Sequence, residues 1–404
     1  MADSTSPTDT NTKPDTIDEY GAIKAWDDLA DKCDPQLLRG IYAYGFEAPS
    51  PIQQKAIKPM VARRDIVAQA QSGTGKTGCF TIGTLANIDT SKKVVQAVLL
   101  SPTRELAMQT KSVVDSLGAF LEGMTTQLLV GGTPTEEAIN DLKNNTPHII
   151  IGCPGRIFDM LRRKRLSPQH LKLIVLDEAD EMLSAGFKDQ VYNIFEFMPK
   201  DIQVALFSAT MPAELITLTD RFMRDPVKVL VKAEQLTLEG IKQFYIGLES
   251  DDEKYECLKD IYGGASMAQC IIYCNSVRRV QDLFDAMTND GYPVCQIHSG
   301  MDKAERVESY KAFRSGGQRV LISSNVTARG IDIQQVSTVI NFDLPRDVHT
   351  YLHRIGRSGR WGRKGVGINF ITRRDVRRLK EIESYYQTQI SEMPMNWAQY
   401  TGGN

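Results

Sequence analysis

The chain has 404 residues, with 48 Lys and Arg against 50 Asp and Glu, a net charge of −2, and 42% hydrophobic residues. At roughly 100–200 residues per domain, this length gives two or three domains, and the ordinary apolar share excludes a chain disordered throughout. The near-neutral charge excludes adhesion to nucleic acid by bulk charge, so any such contact must come from local surfaces.

Residues 1–20 are rich in Ser, Thr, Asp and Pro and read as a disordered tail. They lack the basic and apolar stretches of a secretory signal. No apolar run approaches the ~20 residues that a bilayer demands, so no membrane contact is expected. The seven cysteines are scattered without a C-x-x-C pair, which suits reduced thiols in a cytosolic or nuclear protein.

From Ile66 onward, short apolar runs alternate with helical segments, at 66–68, 95–100, 127–130, 148–151, 173–176, 204–207 and 227–231. These runs are continuous, not alternating, as strands buried on both faces of a parallel sheet require. The rhythm pauses over the polar residues 232–240. It resumes at 244–247, 268–274, 294–297, 320–323, 337–341 and 367–371, and a last helix is expected over 374–390. The economical reading is two α/β domains, 21–232 and 241–404, joined by a linker at 233–240.

Ala70-Gln71-Ser72-Gly73-Thr74-Gly75-Lys76-Thr77 follows the first strand and opens a helix. Glycines let the backbone wrap phosphates closely, Lys76 would reach the β- and γ-phosphates, and Thr77 would take Mg²⁺. Gly73, Gly75 and Gly78 also fit the dinucleotide fingerprint, but the acidic residue it needs about 20 positions later is missing. A nucleoside triphosphate is the better fit. The run at 173–176 then leads straight into Asp177-Glu178-Ala179-Asp180. At the carboxyl end of a parallel strand, Asp177 is positioned to hold Mg²⁺ through water, and Glu178 to orient and deprotonate an attacking water. Acids decorating a helix N-terminus are the plainer alternative, which a phosphate loop roughly 100 residues upstream makes the weaker one.

With DEAD spelled at 177–180, the chain resembles the DEAD-box RNA helicases from Trp26 to its C-terminus. The resemblance implies two tandem RecA-like domains, each a mostly parallel sheet flanked by helices, joined by a flexible linker and using ATP and Mg²⁺. The stretch from Gly45 to Gln53 looks like the family's adenine-side motif, with Gln53 reading the base edge and with Phe46 and Trp26 beside it. Pro102, Thr103, Arg104, Gly132, Cys153, Gly155 and Arg156 fall in segments similar to the RNA-contacting motifs of the first domain, and Arg329 in one of the second. By the same resemblance, Asp180, Ser208, Thr210 and His353 couple ATP to RNA, Asp332 meets the ribose, and Arg357 and Arg360 reach the γ-phosphate. A solvated basic face is the competing reading for these two arginines. Three positions depart from the family: Cys153 stands for a Thr, Asn325 for an Asp, and His298-Ser299-Gly300 for a more usual HGD.

Within the family, residues 68–71 and 236–244 are most similar to the translation initiation factor 4A group. That implies unwinding of short RNA structures at the start of messages by a cytoplasmic protein that is a monomer alone. It also implies a helical-repeat scaffold of the initiation factor 4G type as partner. The tail at 392–396 is equally similar to a nuclear sister in the exon-junction complex, which would make the chain a nucleotide-gated RNA clamp with low turnover.

Overall fold

The computed structural model describes residues 20–70, 74–184, 186–230, 241–264, 269–325, 336–358 and 365–394. The expected tail, linker, Ser72, Gly73, Arg329, Asp332 and Arg360 lie outside these residues, save Tyr20 at the end of the tail.

Strands β1 (Ile66–Gln69), β2 (Ala97–Leu100), β3 (Thr126–Leu129), β4 (Ile149–Gly152), β5 (Leu173–Asp177), β6 (Gln203–Ser208) and β7 (Val227–Leu230) form one sheet. Strands β8 (Ile241–Gly247), β9 (Cys270–Tyr273), β10 (Val294–Ile297), β11 (Val320–Ser323), β12 (Thr338–Asn341), β13 (Gly365–Ile371) and β14 (Ser391–Glu392) form the other. The orders are β3-β4-β2-β5-β6-β1-β7 and β10-β11-β9-β12-β13-β8-β14. Counted from the first strand of each sheet, both read 3-4-2-5-6-1-7, so one fold is laid down twice along the chain. Every described strand pairing is parallel.

The continuous apolar runs follow from burial on both faces. Ile66 and Ala68 join one hydrophobic cluster while Val67 joins the opposite one, and Ala97 and Leu99 are likewise split from Val98 and Leu100. In the second sheet Ile271 and Tyr273 face one cluster, Cys270 and Ile272 the other. Successive side chains of a strand point to opposite faces, so a strand covered by helices on both sides must be apolar at every position.

The largest departures from the sequence expectation fall at β8, the last helix and β14. β8 begins at Ile241, ahead of the apolar run, because Lys242 and Gln243 interrupt the pattern. The last helix spans Val376–Tyr386 and ends where Gln387 turns left-handed at φ 46°. The short polar β14 then pairs with β8, a strand with no hydrophobic signal to read.

Arg354 is fully buried in the second domain, on helix Val348–Ile355. Its guanidinium donates to neutral acceptors: Asn325 Oδ1 at 3.0 Å, Asn341 Oδ1 at 3.1 Å, Asn275 Oδ1 at 2.7 Å and the Asp343 carbonyl at 2.7 Å. Burial pushes its pKa down to about 10. The Asn325 departure therefore lies at an internal hydrogen bond of the second domain. Asn325→Asp is expected to stabilise the protein by about 1 kcal/mol, because a charge-assisted bond exceeds a neutral one. Urea denaturation measures this, and a lower midpoint contradicts it.

Candidate nucleotide and RNA site

β5, β6 and β1 are neighbours and parallel, so the phosphate loop, the carboxylates and the 208–210 segment all emerge at one sheet edge. Gly75 caps helix Lys76–Leu85 at φ 95°, a conformation that favours glycine. A Cβ there would lie 2.8 Å from Gln53 Nε2 and 2.9 Å from Ser50 Oγ. Thr74 and Thr77 flank the turn, half-buried. Lys76 is buried, and its ammonium donates to the Ala70 carbonyl at 2.7 Å. Burial lowers its pKa, opposed by the charges of Asp177, Glu178 and Asp180.

Gln53 Nε2 donates to the Gly75 carbonyl at 3.1 Å, and its Oε1 accepts from the Ser50 amide at 2.8 Å. The side chain assigned from sequence to the adenine edge thus holds the loop and its own helix start. Trp26 is 1% exposed and stacks on Phe46 with ring centroids 5.8 Å apart. Trp26 thus packs behind Phe46, and Phe46 is the more accessible of the two rings beside the motif. Phe46 is half-buried.

Asp177 ends β5, and its Oδ1 accepts from the Glu178 amide at 3.0 Å. Burial first, and the Glu178 charge second, push its pKa up to about 7. Glu178 has φ 50°, a strained backbone for a non-glycine residue. Its Oε2 is buried with no hydrogen-bond partner, while Oε1 lies 3.8 Å from Arg357 Nη2. Among the described residues no three His, Cys, Asp or Glu are grouped to enclose a metal. One carboxylate and one threonine hydroxyl suit a hard cation that keeps its waters and shares substrate phosphates.

The two sheets meet at Asp180. Its Oδ2 accepts from Thr210 Oγ1 at 2.6 Å and lies 3.2 Å from His353 Nε2, a residue of the second sheet's layer. The Thr210 amide donates to Ser208 Oγ at 3.4 Å. Arg357 Nε donates to the His353 carbonyl at 3.3 Å, and both residues are buried. The expected coupling residues and Arg357 are thereby brought together.

On the same edge, Thr103 accepts from the Leu106 amide at 3.2 Å and so caps helix Arg104–Leu117, after the buried Pro102. Arg104 Nη1 donates to the Gly131 carbonyl at 3.2 Å, and Arg156 Nη2 to the Thr133 carbonyl at 2.9 Å. Both arginines therefore tie down the loop containing Gly132. Helix Pro154–Arg162, with Gly155 in its first turn, starts on Cys153 without a side-chain cap. Burial pushes that thiol up to about 12, so it is neutral and a poor partner for phosphate. Cys153→Thr is expected to add about 1 kcal/mol of stability through the cap and to tighten RNA binding. Denaturation and RNA titration check it, and a destabilised or weaker-binding variant contradicts it.

Contacts between helices 104–117 and 303–314 went unseen in the sequence. Gln109 Nε2 donates to Tyr310 Oη at 2.9 Å, and Arg306 Nη1 lies 3.6 Å from Glu105 Oε1. Residues two hundred positions apart on separate domains leave no spacing signal in a single chain.

All seven cysteines are free. Among the described residues no helix is long and apolar enough to cross a membrane. The DEAD/DEAH box helicase model matches residues 50–218, and the helicase conserved C-terminal domain matches residues 253–362. The chain is 52% identical over 363 residues to ATP-dependent RNA helicase eIF4A of Phaeosphaeria nodorum, covering 90% of this chain and 91% of that protein. It is 51% identical over 372 residues to eukaryotic initiation factor 4A of Caenorhabditis elegans, covering 92% of each. Among solved structures, S. cerevisiae Dbp5 bound to RNA and ADP BeF3 superposes with a TM-score of 0.85 at 36% identity, over 93% of this chain and 96% of that one. These relatives do not favour the clamp reading. The chain belongs to the DEAD/DEAH box helicases, in their initiation factor 4A group of ATP-dependent RNA helicases.

Proposed function

We propose that the chain is an RNA-stimulated ATPase that separates short RNA duplexes during translation initiation, with the residues above in the following roles. ATP lies on the loop at 71–77, where Lys76 exchanges the Ala70 carbonyl for phosphate oxygens. Phe46 and Gln53 border the adenine side, and Asp332 the ribose. Thr77 and Asp177 would hold Mg²⁺ with water, which neutralises charge on the triphosphate. Glu178 aligns the attacking water and takes its proton. Arg357 and Arg360 come from the other domain to the transferring phosphoryl group.

RNA runs over Thr103, Arg104, Gly132, Cys153, Gly155, Arg156 and Arg329, mainly by phosphates and 2′-hydroxyls. Because ATP and RNA both favour the arrangement in which the domains touch, each tightens the other by linkage. The observation that carries this reading is the Asp180 carboxylate, which joins Thr210 and His353 across the domains beside Glu178. The partner is a helical-repeat scaffold of the initiation factor 4G type, and the place of work the cytoplasm. Steady-state ATP hydrolysis with and without single-stranded RNA tests the reading: strong stimulation supports it, and a rate indifferent to RNA refutes it.

A further inference from the structure

Helix Arg104–Leu117 of the first domain and helix Lys303–Arg314 of the second face each other outside the nucleotide site. Both begin firmly, the first on Thr103 and the second on the reciprocal Asp302–Glu305 cap. Gln109 sits one helical turn after Glu105, and Tyr310 one turn after Arg306. The two helices therefore meet at two successive rungs, an ion pair at 3.6 Å and the Gln109–Tyr310 hydrogen bond at 2.9 Å.

The Tyr310 ring packs against the second domain's core cluster, which includes Phe313, and its hydroxyl reaches across to Gln109. A ring already fixed by packing loses little freedom when its hydroxyl finds a partner. Gln109 belongs to the helix whose first residues, Thr103 and Arg104, border the RNA path.

We propose that Tyr310 and Gln109 form an interdomain latch, a positioning pair that favours the closed arrangement from the RNA side and is independent of the phosphate loop. The inference rests on the RNA-stimulated reading above, in which domain closure links the two ligands. The latch exists only when the domains touch, so it raises the affinity for RNA when a triphosphate holds them together. It leaves the grip of either separate domain unchanged. Because helix 104–117 also presents Arg104 to the Gly131 loop, closing the latch steadies the RNA-facing rim of the first domain.

The test uses the full chain and a labelled single-stranded RNA, titrated with and without a non-hydrolysable ATP analogue. Tyr310→Phe keeps the packed ring and removes the hydroxyl. It is expected to weaken binding about three- to ten-fold with the analogue, the size of one net hydrogen bond. Binding without nucleotide and the melting temperature should stay as in the parent. Gln109→Ala should give the same loss, and the double variant no more than either alone. Equal weakening with and without nucleotide overturns the latch, as does an unchanged affinity or full additivity of the two changes. If the parent shows no nucleotide-dependent tightening at all, the broader reading fails and the latch with it; tightening in the parent with no change in the variants refutes the latch alone.

Discussion

Glu178→Gln lowers the RNA-stimulated turnover number by about 10²–10⁴-fold, the range that a lost general base accounts for. Glu178 stands at the start of the segment after β5, held at φ 50°, with Oε2 buried and partnerless. A buried acceptor without a donor costs stability unless something occupies it during the working cycle, and a water beside the triphosphate is such a group. Glutamine keeps the shape and loses the basicity. Removing the Glu178 charge also relieves the second-largest of the three causes, after burial and ahead of the Asp180 charge, that hold the Asp177 pKa high, so Asp177 ionises more readily. Binding of ATP and RNA should therefore survive in Glu178→Gln while turnover collapses. Pre-steady-state hydrolysis alongside ATP titration separates the two. A loss of turnover below ten-fold would remove Glu178 from its assigned role.

Arg357→Ala is expected to lower turnover by about 10³-fold or more, as loss of an arginine that neutralises the γ-phosphoryl group does in other phosphoryl-transfer enzymes. Arg357 comes from the second domain, yet its Nη2 lies 3.8 Å from Glu178 of the first, and it is 3% exposed. A guanidinium so enclosed beside the carboxylate proposed to activate water is placed where transferred charge would develop. Arg357→Lys should rescue little, because a point charge lacks the planar fork that grips two oxygens. ATP affinity of the first domain should change far less than turnover, since Arg357 contributes only when the domains meet. A variant with weakened ATP binding but near-normal turnover would contradict this role.

The phosphate loop and the carboxylates were legible because each depends on a short contiguous pattern after a strand. Most of the strands were legible too, because burial on both faces writes an uninterrupted apolar run, whereas Lys242 and Gln243 hid the start of β8. β14, two exposed polar residues at 391–392, carries no such signal and is set only by its pairing with β8. The roles of Gln53 and Trp26 were blurred for a different reason. Their residue types suit a base, but the contacts they make depend on how the helix at 51–61 and the turn at 26–29 pack against the loop. The exchange of a Thr for Cys153 was visible in the sequence, and its effect, a helix start without a side-chain cap, is local to that position. The Gln109–Tyr310 and Glu105–Arg306 contacts arise only where the layers of the two domains meet, and nothing local encodes them.

Hydrolysis is expected to require both domains, pressed together by RNA. The direct measurement compares ATP turnover at saturating single-stranded RNA for the full chain and for a fragment spanning residues 1–232. The fragment is expected to bind ATP yet turn it over roughly 10³-fold more slowly, without response to RNA. A fragment as fast as the whole chain would contradict it.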